Sequence, residues 1–185
     1  MATRRRPALE RVLETADELF YTCGLHATGV DRIAAAANVS KATLYTYFQT
    51  KDDLVAEYLR RRSRQWQEHV AAELERRGGT PEDRMLAIFD LLEEWIRSPG
   101  YRGCPFINSA AETGPDSAAH QVNQEHRAWL HELFHELLEG RNHREATAHQ
   151  LELLYNGAMS NAQVQPEVAW IAAAKRAVRA ILTTA

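Results

Sequence analysis

Three features of the sequence predict an all-α fold. Alanine, leucine, glutamate and arginine, which all favour helices, dominate the 185-residue chain. Apolar residues recur at helical spacing, and runs of β-branched residues are absent. The 9 glycines and 6 prolines cluster at a few breaks, which divide the chain into about nine helices. With 45% hydrophobic residues, the chain can bury a sizeable core.

The breaks also predict the bounds of later helices. Thr80 is the predicted N-cap of a fifth helix, which runs from Pro81 to about Arg97. Later helices are predicted to start at about Asp116, about His143 and Pro166.

Two compositional features mark the fourth and the last helices. The arginine run of the fourth helix is predicted to form a solvated face with salt bridges, and it consists of Arg60, Arg61, Arg62 and Arg64. Small residues recur at helical spacing in the last two helices and would let helix backbones approach closely.

Composition excludes several classes of protein. No apolar run approaches 18 residues, so no membrane-spanning helix is predicted. The basic N-terminus lacks the apolar segment that follows the charges of a signal peptide. The two cysteines, Cys23 and Cys104, do not form a disulfide framework, and a reduced cytoplasmic setting is expected. Cys104 is expected to be a buried small hydrophobe, with a redox sensor as the alternative.

Charge is distributed unevenly along the chain. Residues 1–66 hold 11 Lys and Arg against 8 Asp and Glu, whereas residues 67–185 hold 11 against 17. The net charge of −3 therefore conceals a basic first third, which suits contact with phosphates. Arg4, Arg5 and Arg6 lie at its start and form either a solvated tail or an arm that reaches DNA.

The first helices are punctuated by capping residues. A helix is predicted from Ala8 to Cys23, ended by Gly24. Thr28 followed by Asp31 resembles a capping box, so Thr28 is the predicted N-cap of a second, short helix. Asn38 tolerates the left-handed conformation that ends a helix, and it is the predicted turn residue.

A third helix is predicted over Lys41–Tyr47, with Ser40 as its N-cap. Leu44 and Phe48 are four residues apart and should face the core. Seven residues make a helix too short to be stable alone, so its neighbours must hold it. The pair of short helices is a helix-turn-helix over residues 29–48. The side chains able to reach base edges or phosphates are those of Ser40, Lys41, Thr43 and Tyr45. Ala42 could meet a thymine methyl. Lys51, at the next helix start, could lie beside phosphates.

The segment IAAAANVSKATLYTYFQTKDDLV resembles the DNA-binding signature of the TetR/AcrR family of one-component transcriptional regulators. About ten positions agree in type and spacing, and the resemblance extends from Ala8 to about Tyr58. It implies that the DNA contacts include Thr28, Gly29, Lys41, Ala42, Thr43, Tyr45, Tyr47 and Lys51.

The resemblance also implies an organisation for the whole chain. Residues 1–50 would form the helix-turn-helix domain, and residues 51–185 a helical ligand-binding and dimerisation domain, with the fourth helix shared. The expected partners are double-stranded operator DNA with two-fold symmetry, a small-molecule effector and a second copy of the chain, paired through the last two helices. Repression released by the effector is the expected activity.

A ligand pocket is predicted in the second part of the chain. Pockets are mainly apolar and aromatic with a few polar groups, and they often lie between helices. The acidic surround favours an apolar, neutral or cationic compound. The candidate lining residues are Trp66, Trp95, Tyr101, Phe106, Asn108, Trp129, Phe134, Tyr155 and Met159.

Two other functions are alternatives to that of a regulator. His131 and His135 lie in an HExxH pattern, in which two histidines one turn apart bind zinc. The glycine and third histidine of the longer metzincin motif do not follow, because Leu138 and Arg141 stand there. A helical metalloprotein and an adaptor that does not bind DNA therefore remain alternatives. No catalytic residue, metal or cofactor is predicted.

Overall fold

The computed structural model describes residues 7–165 and 167–184, in which nine helices and no strand are present. The predicted all-α class is therefore confirmed. The predicted arm at Arg4–Arg6 and the predicted helix start at Pro166 lie outside the described residues. None of the helices within the described ranges combines the length and apolar character needed to cross a membrane. The helices are α1 Ala8–Cys23, α2 Val30–Ala36, α3 Lys41–Tyr47, α4 Lys51–Arg77, α5 Pro81–Arg97, α6 Pro105–Glu112, α7 Ala118–Leu137, α8 Arg144–Val164 and α9 Ala169–Thr184.

The chain divides into two compact units. The N-terminal unit comprises Met1–Ser63 and Pro105–Gln124, and the C-terminal unit comprises Arg64–Cys104 and Glu125–Ala185. Both α4 and α7 therefore begin in the first unit and end in the second. The predicted functional boundary between residues 50 and 51 remains a prediction.

In the N-terminal unit, α1 packs on α2 and α3 through its apolar face. Val12, Ala16 and Phe20 are buried on α1, and the ring of Phe20 lies 5.5 Å from that of Tyr58 on α4. Gly24 ends α1 with φ 89°, a left-handed angle that costs glycine little. This core fixes the positions of the two short helices.

Ion pairs join α4 to α1 in the same unit. The guanidinium of Arg62 donates to both carboxylate oxygens of Asp17, at 2.7 and 2.9 Å, and lies 4.0 Å over the ring of Tyr21. Burial alone would lower the pKa of Arg62, but the hydrogen bond to Asp17 and neighbouring groups raise it. Arg61 pairs with Glu10. The arginine run on α4 thus forms salt bridges, as the sequence predicted.

The α6 segment completes the N-terminal unit. The Glu112 carboxylate accepts hydrogen bonds from the backbone N–H groups of Leu25 and His26, at 3.1 and 2.7 Å. Burial would raise the pKa of Glu112, but these donors and the His26 ring lower it. Asp52 of α4 accepts a bond from the N–H of Ala118, in the first turn of α7. The end of α6 therefore holds the loop before α2, and the first turn of α7 holds the start of α4.

In the C-terminal unit, α5, α8 and α9 pack against one another. Thr80 caps α5 in a capping box with Asp83, which confirms the predicted cap. The ammonium of Lys175 lies 2.6 Å from carboxylate oxygens of both Asp90 and Glu93, which joins α9 to α5.

Two predicted helix starts, at Asp116 and His143, differ from the structure. The seventh helix was expected from Asp116 but begins at Ala118, after Ser117, whose hydroxyl accepts from the N–H of His120. The eighth begins at Arg144, because His143 is left-handed with φ 54°. The last begins at Ala169.

Candidate nucleic-acid interface

The turn between α2 and α3 brings the two helices together. Asn38 has φ 52°, the left-handed conformation that the sequence predicted. The N–H of Val39 then donates to the carbonyl of Ala34 at 3.0 Å, which closes the turn. Arg11 of α1 donates to the carbonyls of Ala37 and Asn38, at 3.0 and 3.3 Å, and so satisfies carbonyls at the end of α2.

Helix α3 is capped at one end and anchored on one face. The Ser40 hydroxyl accepts from the N–H of Thr43 at 3.0 Å, which confirms the predicted cap. Leu44 has no exposed surface and Phe48 is buried, as their spacing predicted. The opposite face is open: the side chains of Tyr45 and Tyr47 are 41% and 44% exposed.

The exposed face of α3 offers a mixed set of groups. Ser40, Lys41 and Ala42 are exposed, and Thr43 is half-buried. Thr43 Oγ1 lies 2.8 Å from Ser40 Oγ, so these two hydroxyls share one hydrogen bond. The arrangement combines a helix N-terminus, one cation, a methyl group, hydroxyls and two phenols, which are groups that contact phosphates and base edges.

Lys41 is paired with Asp31 of α2, a partner that the sequence analysis missed. Their charged atoms are 2.8 Å apart, and the hydrogen bond to Asp31 raises the pKa of the Lys41 ammonium. Both side chains are more than half exposed, at 52% and 75%, so the pair is weak. A DNA phosphate can therefore replace the Asp31 carboxylate as the partner of Lys41 at little cost. The negative charge of Asp31 repels the phosphates of DNA bound nearby.

Lys51 is half-buried at the start of α4, and its ammonium donates to the carbonyl of Leu25. Thr50 and Asp53 exchange hydrogen bonds at the same helix end: the Thr50 N–H donates to Asp53 at 2.9 Å, and the Asp53 N–H to Thr50 at 3.1 Å. The N-terminus of α4 is thus capped internally, and Lys51 supplies the positive charge there.

Thr28 does not have the role that the sequence suggested. The N-cap of α2 is Gly29, and no side chain caps that helix end. Thr28 has no exposed surface, and its hydroxyl donates to the carbonyl of Leu19 at 3.2 Å. The predicted cap is therefore wrong, and the side chain is not available to DNA in this conformation. Gly29 is exposed and can offer only its backbone.

The nine candidate pocket residues are divided between the two units. In the C-terminal unit, the rings of Trp66, Trp95 and Tyr101 follow one another, with centroids 5.6 and 5.3 Å apart. Tyr101 donates its hydroxyl to the carbonyl of Met159 at 2.8 Å. Phe106 and Asn108 belong instead to α6 of the N-terminal unit.

A second group of rings in the C-terminal unit is packed as core. Phe134 and Tyr155 meet edge to face at 6.1 Å, and both contact Phe89. Phe134 has no exposed surface, and Tyr155 and Met159 are buried. Burial raises the pKa of the Tyr155 hydroxyl, with Cys104 and Tyr101 adding to the effect. Cys104 is itself buried, as predicted.

A groove of about 500 Å³ lies elsewhere in the C-terminal unit. Of the nine candidates, Trp129 alone lines it. Its apolar walls come from Val70, Leu74 and Leu133, and its polar groups include Gln67 and Arg84. The sequence could not indicate this groove, because aliphatic residues on two separate helices, α4 and α7, carry no local signal of a cavity.

The two histidines of the HExxH pattern have different surroundings. The His135 ring lies 3.3 Å from the guanidinium of Arg144, a cation that disfavours a metal. His131 faces α8, where its Nδ1 lies 2.6 Å from Glu152. The hydrogen bond to Glu152 raises the pKa of His131. These contacts do not support a zinc site built on His131 and His135 together.

Known proteins share the helix-turn-helix and the whole fold. Residues 12–58 match the family described as bacterial regulatory proteins, tetR family. A TetR-family transcriptional regulator from Streptomyces coelicolor is 33% identical, with a TM-score of 0.89 over 96% of this chain and 95% of that one.

Curated relatives match over shorter segments. An HTH-type transcriptional regulator of Mycobacterium tuberculosis is 38% identical over 63 residues, which is 34% of this chain and 31% of that protein. The fatty acid metabolism regulator protein of Bacillus subtilis is 26% identical over 85 residues, 46% of this chain and 44% of that protein. The chain thus covers less than half the length of these relatives.

The similarity to the Streptomyces coelicolor regulator extends over nearly the whole chain and includes the helix-turn-helix. This chain belongs to the TetR family of transcriptional regulators, which bind DNA through that motif.

Proposed function

We propose that the chain is a homodimeric repressor that binds a two-fold symmetric operator through α3 and is released by a small molecule. The observation that carries the proposal is α3 itself. It is held from behind by Leu44 and Phe48 and capped by Ser40. Its other face is exposed, and a short exposed helix of this kind suits a major groove.

The candidate contact residues each have a role in this proposal. The N-terminal half, from Ser40 to Thr43, enters the major groove, where hydroxyls and the ammonium of Lys41 meet phosphates and base edges. Ala42 meets a thymine methyl. Tyr45 and Tyr47 contact the phosphates on either side with exposed hydroxyls. Gly29 contributes a backbone contact and Lys51 a charge at the backbone.

The dimer is a physical requirement of the proposal, because one short helix reads too few bases to be specific. The last two helices support a pairing surface. Leu153 and Val164 on α8 are large apolar residues and are 73% and 83% exposed. The indole nitrogen of Trp170 on α9 is buried without a hydrogen-bond partner among the described residues. A second chain could cover the apolar side chains and supply that partner.

Small residues on α9 support close packing of the two copies. Ala172 is exposed, and Ala173 and Ala177 are half-buried. By contrast Val178 is buried against its own chain, so the predicted small-residue stripe is divided between core and surface. Small side chains let two helix backbones approach closely.

Release requires a ligand that prefers a conformation unsuited to the operator. The groove beside Trp129 supports such a role, since its volume of about 500 Å³ and mainly apolar walls suit a small molecule. The effector is thus expected to be apolar, neutral or cationic. Because the partner is DNA, the protein acts in the cytoplasm, at the nucleoid.

The experiment is a gel shift on duplex fragments upstream of the chain's own gene, with excess nonspecific competitor. Tyr45→Ala and Lys41→Ala should each weaken specific binding at least about tenfold, equivalent to about 1.4 kcal/mol for the tyrosine. Arg97→Ala is the matched control, because Arg97 forms a comparable exposed ion pair, with Glu93, in the C-terminal unit. Lys51→Ala should flatten the salt dependence by about one unit of slope.

Two results would count against the proposal. Equal affinity of Tyr45→Ala, Lys41→Ala and the control would remove α3 from the interface. Binding abolished by competitor on every fragment, with no response to these variants, would favour the adaptor that does not bind DNA.

A further inference from the structure

A cluster of potential metal ligands lies across the hairpin of α7 and α8. It consists of His131 on α7 with Glu145 and His149 on α8, and one ligand atom from each lies within 4.8 Å of the others. All three residues belong to the C-terminal unit. The DNA-binding proposal does not use any of them.

The ligand atoms, all within 4.8 Å of one another, lie farther apart than in a tetrahedral site. His131 Nε2 lies 3.3 Å from one oxygen of Glu145, and His149 Nε2 lies 3.8 Å from the other. Zinc bonds of about 2.0–2.1 Å place neighbouring ligand atoms about 3.3 Å apart. Glu145 and His149 are one helical turn apart, so both point from α8 toward the same side. Both are more than 60% exposed, so small rotations about their side-chain bonds can close the remaining gap.

A buried carboxylate positions the third ligand. Glu152 is only 7% exposed, and its Oε1 lies 2.6 Å from Nδ1 of His131. A proton held on Nδ1 leaves the Nε2 lone pair free to point at Glu145 and His149. Metal-binding histidines almost always have such a carboxylate or carbonyl partner on the second nitrogen. Arg127 lies 3.7 Å from the other oxygen of Glu152.

We propose that His131, Glu145 and His149 bind one zinc-class divalent cation per chain, with Glu152 as a positioning residue. Two imidazole nitrogens and one carboxylate oxygen suit Zn²⁺ or Co²⁺, whereas Mg²⁺ prefers oxygen ligands throughout. Three protein ligands leave one position for water. The site differs from the HExxH reading, because its second histidine comes from α8 and not from His135.

The test uses full-length protein without a histidine tag, freed of metal by a chelator and titrated with Co²⁺. Tetrahedral Co²⁺ with nitrogen and oxygen ligands gives visible absorption bands, which should saturate at one equivalent and disappear when Zn²⁺ is added. His149→Gln should weaken binding at least tenfold, and Glu152→Gln by about ten- to a hundredfold. Zn²⁺ should also raise the melting temperature of the wild-type protein and not that of His149→Gln.

Two controls make the result specific. His69→Gln removes another exposed histidine of the C-terminal unit and should leave binding unchanged, and Mg²⁺ should not displace Co²⁺. His149 is 61% exposed, so its variant should keep its fold, which a metal-free melting curve checks. Absence of saturable bands, equal weakening by His69→Gln, or a loss caused by His135→Gln but not by His149→Gln would overturn the proposal. None of these readouts depends on DNA binding.

Discussion

Acidification should destabilise the folded chain through one buried histidine. His126 on α7 is 9% exposed, and its ring lies 5.4 Å from that of Trp129, tilted by 36°. Burial, and to a lesser degree the charge of Arg127, lowers the pKa of His126 from 6.5 to about 4. The folded chain thus holds this ring neutral at a pH where the unfolded chain protonates it.

The direction and size of this pH effect follow from the difference in proton binding between the folded and the unfolded chain. Because the unfolded state binds more protons between pH 6.5 and about 4, stability falls as pH falls through that window. Between pH 7 and pH 5 the two pKa values correspond to a loss of about 2 kcal/mol per chain. His131 acts in the opposite direction, because its pKa is raised: the stability it contributes is full below pH 6.5 and is lost as pH rises.

The assay compares wild type with His126→Gln, which has no titrating ring. Urea unfolding is followed by circular dichroism at pH 7 and pH 5, at equal protein concentration. Since both proteins keep His131 and every carboxylate, the difference between their pH effects isolates His126. The wild type should lose about 2 kcal/mol more than the variant. Equal losses would refute the reasoning, as would a larger loss in the variant.

Two further variants test how the N-terminal unit is held together. Arg62→Lys loses the pair of hydrogen bonds to Asp17. It should lower the free energy of unfolding in urea titrations by about 1–2 kcal/mol, because hydrogen bonds to charged groups are strong. Unchanged stability would show that a lysine ammonium can replace the guanidinium in this ion pair. Thr28→Val removes the buried bond to Leu19 and should cost about 1 kcal/mol of stability without changing operator affinity. A loss of affinity with intact stability would restore Thr28 to the interface.

The sequence predicted best the features that local residues determine. The bounds of α1, α3 and α5 agree with the structure, because Gly24, Ser40 and Thr80 mark helix ends through bonds to nearby backbone. Asn38 takes the predicted left-handed turn for the same reason. Each of these signals is complete within about four residues of the chain.

The wrong predictions concern side chains whose partners are distant in the sequence. A hydroxyl before a helix suggests a cap, but Thr28 is drawn into the core, where Leu19 accepts its bond. The pattern around His131 suggested a partner one turn away, whereas the fold places residues of α8 beside it. The pairing of Lys41 with Asp31 joins two helices and has no local signature.

The central claim is that α3 of a two-fold dimer reads DNA, and selection from random duplexes tests it most directly. The purified protein would be incubated with a library of duplexes of about 30 base pairs, and bound sequences would be recovered at moderate salt and read. We predict an enriched site with two inverted half-sites, separated by one or more helical turns, and no such enrichment for Tyr45→Ala. A single half-site without symmetry, no enrichment, or the same site enriched by Tyr45→Ala would contradict it.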